Sequence, residues 1–162
     1  MLLVFGAAAA CGSRGAGPAA RLSARLIRQS HDTLRFEAGA LANRCGHAGG
    51  YGLVLQGSAH GNGVLIYVRS DSAANGDFPL MARADSTTPR GAIVAARFQT
   101  GDLARGVVLD SGAVALTRAG DELTATARGA GAEVAGTGRV ALTASFESVR
   151  IGPDTVQCAA RL

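Results

Sequence analysis

Apolar and polar residues alternate with a period of two through most of the chain after Gly106. The segment 139–147 is the clearest example, since Val140, Leu142, Ala144 and Phe146 fall on one side and Ala141, Thr143, Ser145 and Glu147 on the other. This period predicts β-strands with one buried face and one wet face. Further segments of this kind span 106–110, 113–118 and 122–128. The short turns between them predict antiparallel pairing, and a glycine-rich loop is predicted from 129 to 138.

The first half of the chain mixes alternation with continuous apolar runs of strand length. Residues 33–37 alternate, whereas the predicted strands at 52–56, 63–69 and 92–98 are almost wholly apolar. The segment 21–28 fits either a helix or a strand, and we favour a strand because everything after it has strand character. The predicted connections are a glycine-rich turn at 43–50 carrying Cys45, a loop at 57–63 with Asn62-Gly63 as a turn, a turn at Asn75-Gly76, an edge strand at 77–81 and a loop at 85–89.

These elements predict an all-β protein with a single antiparallel β-sandwich domain over residues 21–162. A small β-barrel is the alternative architecture. A short terminal strand, 155–159, is expected to carry Cys158 near the end of the chain.

The chain begins with an uncharged apolar run, Leu2 to Ala10. Nine residues lie within the usual length of the apolar region in a secretory signal peptide and are far fewer than the roughly 20 that span a bilayer. The run therefore predicts a signal peptide rather than a transmembrane helix.

The end of this run, Ala8-Ala9-Ala10-Cys11, resembles the lipobox of bacterial lipoproteins. The resemblance implies a signal peptide at 1–10 and a mature N-terminus at Cys11 that carries diacylglycerol and an amide-linked acyl chain such as palmitate. Residues 11–20 would then be the lipidated N-terminus and a flexible tether. Gly12 resembles the residue that directs such proteins to the outer membrane, facing the periplasm. Two alternatives remain open, a plain signal cleaved after Ala10 or an apolar first strand of a cytosolic domain.

Three cysteines fit this interpretation. If Cys11 carries lipid, Cys45 and Cys158 remain to form one disulfide, which is expected in an exported protein. Two buried free thiols are the alternative for a cytosolic protein.

Part of the strand pattern also resembles a loose group of small β-sandwich lipoproteins of unknown function. The matching residues are 111–117 (Ser-Gly-Ala-Val-Ala-Leu-Thr), Gly120-Asp121 and Ser145-Phe146. They cover about a third of the chain and belong to strands and turns. The resemblance therefore implies a fold and a location in the cell envelope, and it implies no active site.

Composition excludes several functions. All 16 basic residues are arginine, and the net charge of +4 is modest, so we expect no nucleic-acid binding. Ser58 and His60 lie close in sequence but lack the strand-turn-helix context of a hydrolase nucleophile. The three histidines are scattered, including His31 beside Asp32 and His47 near Cys45, so we expect neither a metal site nor a cofactor.

We therefore expect a lipid-anchored envelope protein with a structural or interaction role and no catalytic activity. It would bind the membrane through its lipid anchor. Its partner would be another protein of the envelope. The alternative is a periplasmic protein that binds a small ligand in a barrel or sandwich cavity lined by Leu53, Leu55, Leu65 and Tyr67. An envelope enzyme is the third hypothesis.

Overall fold

The computed structural model describes residues 19–47, 50–70, 75–85, 87–134 and 136–158. The predicted signal peptide, Cys11 and the tether up to residue 18 lie outside the described residues. No helix long and apolar enough to cross a membrane occurs within the described ranges.

Every regular element of the described chain is a β-strand. The strands are β1 (Arg21–Arg28), β2 (Thr33–His47), β3 (Gly50–Ala59), β4 (Asn62–Ser70), β5 (Gly76–Pro79), β6 (Gly91–Thr100), β7 (Leu103–Val108), β8 (Ser111–Ala119), β9 (Glu122–Val134) and β10 (Arg139–Gln157). The prediction of an all-β, mainly antiparallel domain is confirmed, and 21–28 is a strand.

Eight of the strands close into a ring. They pair in the order β1-β2-β3-β4-β6-β7-β9-β10 and back to β1, while β8 and β5 continue outward from β9. A bridge between Leu80 and Ala92 returns β5 to β6. The far end of β10 also pairs in parallel with β2. The opposing walls of this ring pack on one core, so the architecture joins features of the predicted sandwich and of its alternative, the small barrel.

The core is built by one face of every wall, as the alternation predicts. Its largest fully buried side chains are Phe78, Phe98 and Phe146. Small residues such as Ala127 and Ala144 fill the space between them and are also fully buried. A chain with few aromatic residues therefore closes its core with Val, Leu, Ile and Ala.

The predicted loop at 129–138 is wrong, because β9 continues to Val134. Here β9 leaves β8 and joins β7. A Cβ at Gly129 would overlap the carbonyl oxygen of Ser111, and one at Gly131 would overlap that of Val108. These glycines permit a close approach of backbones within a strand, a role that resembles a loop composition when only the sequence is known.

Two predicted turns are also displaced. β2 runs through 43–47, so Cys45 lies in a strand and not in a turn. β3 continues to Ala59, and the hairpin turn is His60-Gly61, both with positive φ (50° and 79°). Asn62 is the first residue of β4, where its side-chain oxygen accepts the backbone N–H of Gln99 at 2.9 Å. The Asn62 side chain therefore links β4 to β6, and Asn62-Gly63 does not form the turn that this dipeptide predicts.

Candidate functional surfaces

The ring has two outer faces of different character. The covered face is the outer side of β3, β4 and β6 together with the chain that packs on it. The arginine face is the outer side of β1, β9 and the first parts of β2 and β10. Each is defined by the residues that alternate with core positions.

On the covered face a second apolar cluster lies outside the ring. Its buried members are Cys45, Tyr67, Met81, Ile93 and Cys158. Tyr67 follows the core residue Ile66 and therefore faces the other way along β4. The chain after Pro79 and the end of β10 supply the covering residues Met81 and Cys158.

The structure joins Cys45 and Cys158 in a disulfide, with 5.1 Å between their Cα atoms. The bond links β2 to the end of the chain across 113 residues of sequence. Cys45 pairs with Gly52 on β3, and a Cβ at Gly52 would lie 2.6 Å from the Cys45 Sγ and 2.8 Å from the Tyr67 ring. The absence of a side chain at this glycine makes room for the disulfide. Cys158 itself lies just beyond Gln157, the last residue of β10.

Arg69 fastens the loop that covers this face. Its guanidinium donates to the carbonyl oxygen of Asp85 at 2.7 Å and to that of Thr88 at 3.0 Å. Its buried Nε has no hydrogen-bond partner among the described residues. The Asp85 carboxylate accepts hydrogen bonds from the Thr88 hydroxyl, from the backbone N–H of Thr88 and Thr87, and from the Thr87 hydroxyl. These bonds, that of the Thr88 hydroxyl above all, hold the pKa of Asp85 far below its usual range.

Beside the covering chain, the same wall carries an open groove of about 830 Å³. Its lining includes Leu41, Leu65, Ala95 and Arg97, and also Ser58 and His60 from the β3–β4 hairpin. Leu41 is 45% exposed. The groove therefore combines an apolar strip with polar groups at one end.

The cavity expected from Leu53, Leu55, Leu65 and Tyr67 does not form, and that prediction is wrong. Leu53 and Leu55 point into the ring core, whereas Leu65 and Tyr67 lie on the opposite side of the wall. The continuous apolar runs concealed this division, because they indicate burial on both faces and give no signal for what covers each face.

On the arginine face three guanidinium groups lie in one row across neighbouring strands. Arg35 on β2 pairs with Arg25 on β1, Arg25 pairs with Thr143 on β10, and Thr143 pairs with Arg128 on β9. All three arginines are exposed. Among the described residues none of the three has an ion pair or a hydrogen bond.

Hydroxyl groups flank this row. The next row along the strands carries Glu37, Ser23, Ser145 and Thr126. Ser23, Ser145 and Thr143 also line a shallow depression of about 390 Å³, together with Arg25, Arg35 and the carboxylate of Glu37. Thr143, which lies between Arg25 and Arg128 in this row, has a short side chain.

Other arginines near this face are already neutralised. Arg21 donates to Glu147 at 2.8 Å, and Arg139 binds both oxygens of Asp110 at 2.6 and 2.9 Å. The hydrogen bond with Arg139 lowers the pKa of Asp110, and Asp110 raises that of Arg139. The unpaired row thus stands out from arginines of the same sheet that bind acids of this chain.

A buried carboxylate, Glu133, lies at one end of the ring. Its two oxygens accept hydrogen bonds from Arg28 at 3.1 Å and from Arg105 at 2.9 Å, and its side chain is 4% exposed. Because both oxygens are bound, the group ties β1 and β7 to β9. Sequence analysis missed it, since Glu133 fell within the predicted loop.

The remaining sequence candidates are dispersed. Ser58 is exposed at the end of β3, and His60 occupies the hairpin turn. Within the described residues, no three His, Cys, Asp or Glu side chains are grouped so as to hold a metal ion.

Comparison of the chain with protein-family models, with curated proteins and with solved structures finds no match.

Proposed function

We propose that the protein is an exported domain, held to a membrane by lipid at Cys11, that acts by interaction and not by catalysis. The observation that carries this proposal is the Cys45–Cys158 disulfide, both cysteines of which are buried. Disulfides persist in oxidising compartments such as the periplasm and are rare in the cytosol. The three cysteines then have separate roles, one for the anchor and two for the domain.

The anchoring site fits the position at which the domain begins. β1 starts at Arg21, only ten residues after Cys11. A fully extended chain of that length spans at most about 35 Å. An acyl group on Cys11 would therefore keep the whole domain next to the membrane, which we assign to the periplasmic side of the outer membrane.

Metabolic labelling tests the anchor. The full chain, expressed in a Gram-negative host with labelled palmitate, is expected to carry label and to sediment with membranes. Cys11→Ser should lose both properties, because it removes the acceptor sulfur. The matched control is the double variant Cys45→Ala, Cys158→Ala, which changes the other two cysteines and should remain labelled. Label retained by Cys11→Ser would contradict the proposal.

The groove of about 830 Å³ favours a second candidate function, the binding of a small apolar ligand. A fluorescent apolar probe should then bind the full chain, and Leu65→Arg should abolish binding by filling the groove with charge. Leu103→Arg is the control, since Leu103 is 61% exposed and does not line the groove. Equal loss in both variants would contradict a groove site.

A further inference from the structure

The arginine row has a cost in stability that no ion pair or hydrogen bond among the described residues offsets. Arg25 and Arg35 are directly opposite on antiparallel strands, where like charges are destabilising. In the part of the chain that the structure describes, neither forms an ion pair with an acid, although Arg21 and Arg139 of the same sheet do. Threonine has a higher strand propensity than arginine and would carry no charge at these positions. Because unneutralised arginines are kept there at a cost in stability, the row points to a binding role.

The geometry of the row indicates the shape of its target. Strands in a sheet are about 4.8 Å apart, so the row from β2 through β1 and β10 to β9 is about 14 Å long. It lies on a wall of short side chains, without the concave walls that enclose a small molecule. A broad surface with several negative charges is the complementary target.

The start of the domain indicates where such a surface is met. Arg25 is four residues along β1 from Arg21, or about 14 Å at the usual rise of a strand. An anchor at Cys11 would place the membrane within about 35 Å of Arg21. The row is therefore near the anchored end of the domain and within reach of the bilayer.

We propose that the arginine face lies against the anionic phospholipid headgroups of the membrane that holds the protein, with Arg25, Arg35 and Arg128 contacting lipid phosphates. The inference rests on the proposed function for the nearness of the membrane. Two acids lie on this face. Glu147 is bound to Arg21, whereas Glu37 lies in the row next to the arginines, accepts a hydrogen bond from Ser23 and lines the shallow depression with Arg25 and Arg35. Three arginines outnumber this one neighbouring acid. The row itself thus presents positive charge to the bilayer.

Adsorption of the unlipidated chain tests the face without requiring the anchor. The full chain carrying Cys11→Ser is mixed at low ionic strength with vesicles of phosphatidylglycerol and phosphatidylcholine, or of phosphatidylcholine alone, and the bound fraction is measured by sedimentation. Binding is expected only to the anionic vesicles and should fall as salt is added. Arg25→Thr with Arg128→Thr should weaken the partition coefficient about 25-fold, since each basic residue at an anionic surface contributes roughly a factor of five.

A matched double variant separates the face from net charge. Arg83→Thr with Arg97→Thr removes two exposed arginines from elsewhere, Arg83 from the loop before β6 and Arg97 from the groove wall. It should retain most of the adsorption. Arg25→Lys with Arg128→Lys, which preserves the charge and the strand positions, should also adsorb and so checks that the threonine variant did not fail by misfolding.

Three results would overturn the proposal. The first is equal binding of the protein to both kinds of vesicle, and the second is an equal loss of adsorption in the two threonine variants. The third is found by also measuring binding to a soluble acidic polysaccharide: Arg25→Thr with Arg128→Thr loses that binding but adsorbs to vesicles unchanged. The last would assign the row to a soluble polyanion. Loss of labelling at Cys11 is a separate measurement, so failure of the anchor and failure of the face are distinguishable.

Discussion

The two outer faces of the ring differ in whether other parts of the chain cover them. On the covered face the strands are largely apolar on both sides, and Cys158 and the segment after Pro79 pack over them in a second cluster. A disulfide joins Cys158 to Cys45 of β2. On the arginine face most strand positions alternate between buried and exposed, although Ile27 and Ala141 are apolar residues of its outer side. Here the solvent meets mainly polar side chains and guanidinium groups that are unpaired among the described residues. One wall is therefore a packed structural layer, whereas the other carries three arginines without an ion pair among the described residues.

The first prediction removes the disulfide from the covered face. Cys45→Ala with Cys158→Ala should lower the free energy of unfolding by up to about 4–5 kcal/mol, since the bond closes a loop across 113 residues. Denaturant unfolding of the oxidised protein and of the variant measures it. Reductant should destabilise only the former, and equal stability of the two would show that the covering layer holds without the bond.

The second prediction places a side chain beneath the disulfide. Gly52→Val should cost about 3 kcal/mol, because its Cβ would lie 2.6 Å from the Cys45 sulfur and the neighbours are rigid. Gly39→Val is the matched control, since a Cβ at Gly39 meets nothing within 4 Å. Thermal unfolding should separate the two variants, and equal melting temperatures would refute the tight packing of this face.

The third prediction compares arginines on the two faces. Arg69→Met should destabilise the protein by about 2 kcal/mol, because two carbonyl oxygens of the loop lose a charged donor. Trypsin should then cleave faster after Arg83 in that loop. Arg25→Met, on the open face, should neither lower stability nor speed cleavage, because it relieves the repulsion with Arg35. Similar losses from both substitutions would remove the distinction between the faces.

The fourth prediction has the opposite sign. Arg35→Thr should raise the free energy of unfolding by roughly 0.2–1 kcal/mol, since it relieves the repulsion with Arg25 and places a β-branched residue in a strand. Arg44→Thr is the control: it makes the same change in a strand but removes an ion pair with Asp121 at 3.3 Å, so it should not gain stability from relieved repulsion. A loss of stability in Arg35→Thr would mean that this arginine serves the fold.

The smallest expected effect concerns acid. The pKa of Asp85 is lower in the folded than in the unfolded chain, so its contribution to stability is present above about pH 4 and is lost as the pH falls towards the folded pKa. The stability difference between the protein and Asp85→Asn should therefore shrink at acid pH. Urea midpoints measured against pH test this, with Asp102→Asn in the exposed β6–β7 turn as the control. A difference that stays constant with pH would contradict it.

The strand pattern predicted most of the ring but not its connections. Alternation located β8, β9 and the first part of β10, because a half-buried strand leaves a period-two signal. It failed at Gly129 and Gly131, where backbones approach closely within a strand, and at Cys45, which lies in a strand next to glycines. Glycine serves both loops and close contacts, so its position alone does not distinguish them.

The candidate surfaces were less accessible to sequence reasoning. Arg25, Arg35 and Arg128 are separated by up to 103 residues and become a row only through strand register. Glu133 likewise meets Arg28 and Arg105 only when three strands reach one end of the ring. Pairings between distant residues depend on topology, which local patterns leave open.

The sequence by itself determined the all-β class, the inward-facing residues of the alternating strands and the pairing hypothesis for Cys45 and Cys158, since period-two burial and cysteine number are local properties or counts. The tertiary structure alone decided that the ring closes, that Tyr67 and Leu65 face away from Leu53 and Leu55, and that three arginines share one row. The physical reason is that each strand has two faces. Alternation shows that they differ, and only the assembled sheet shows what each one meets.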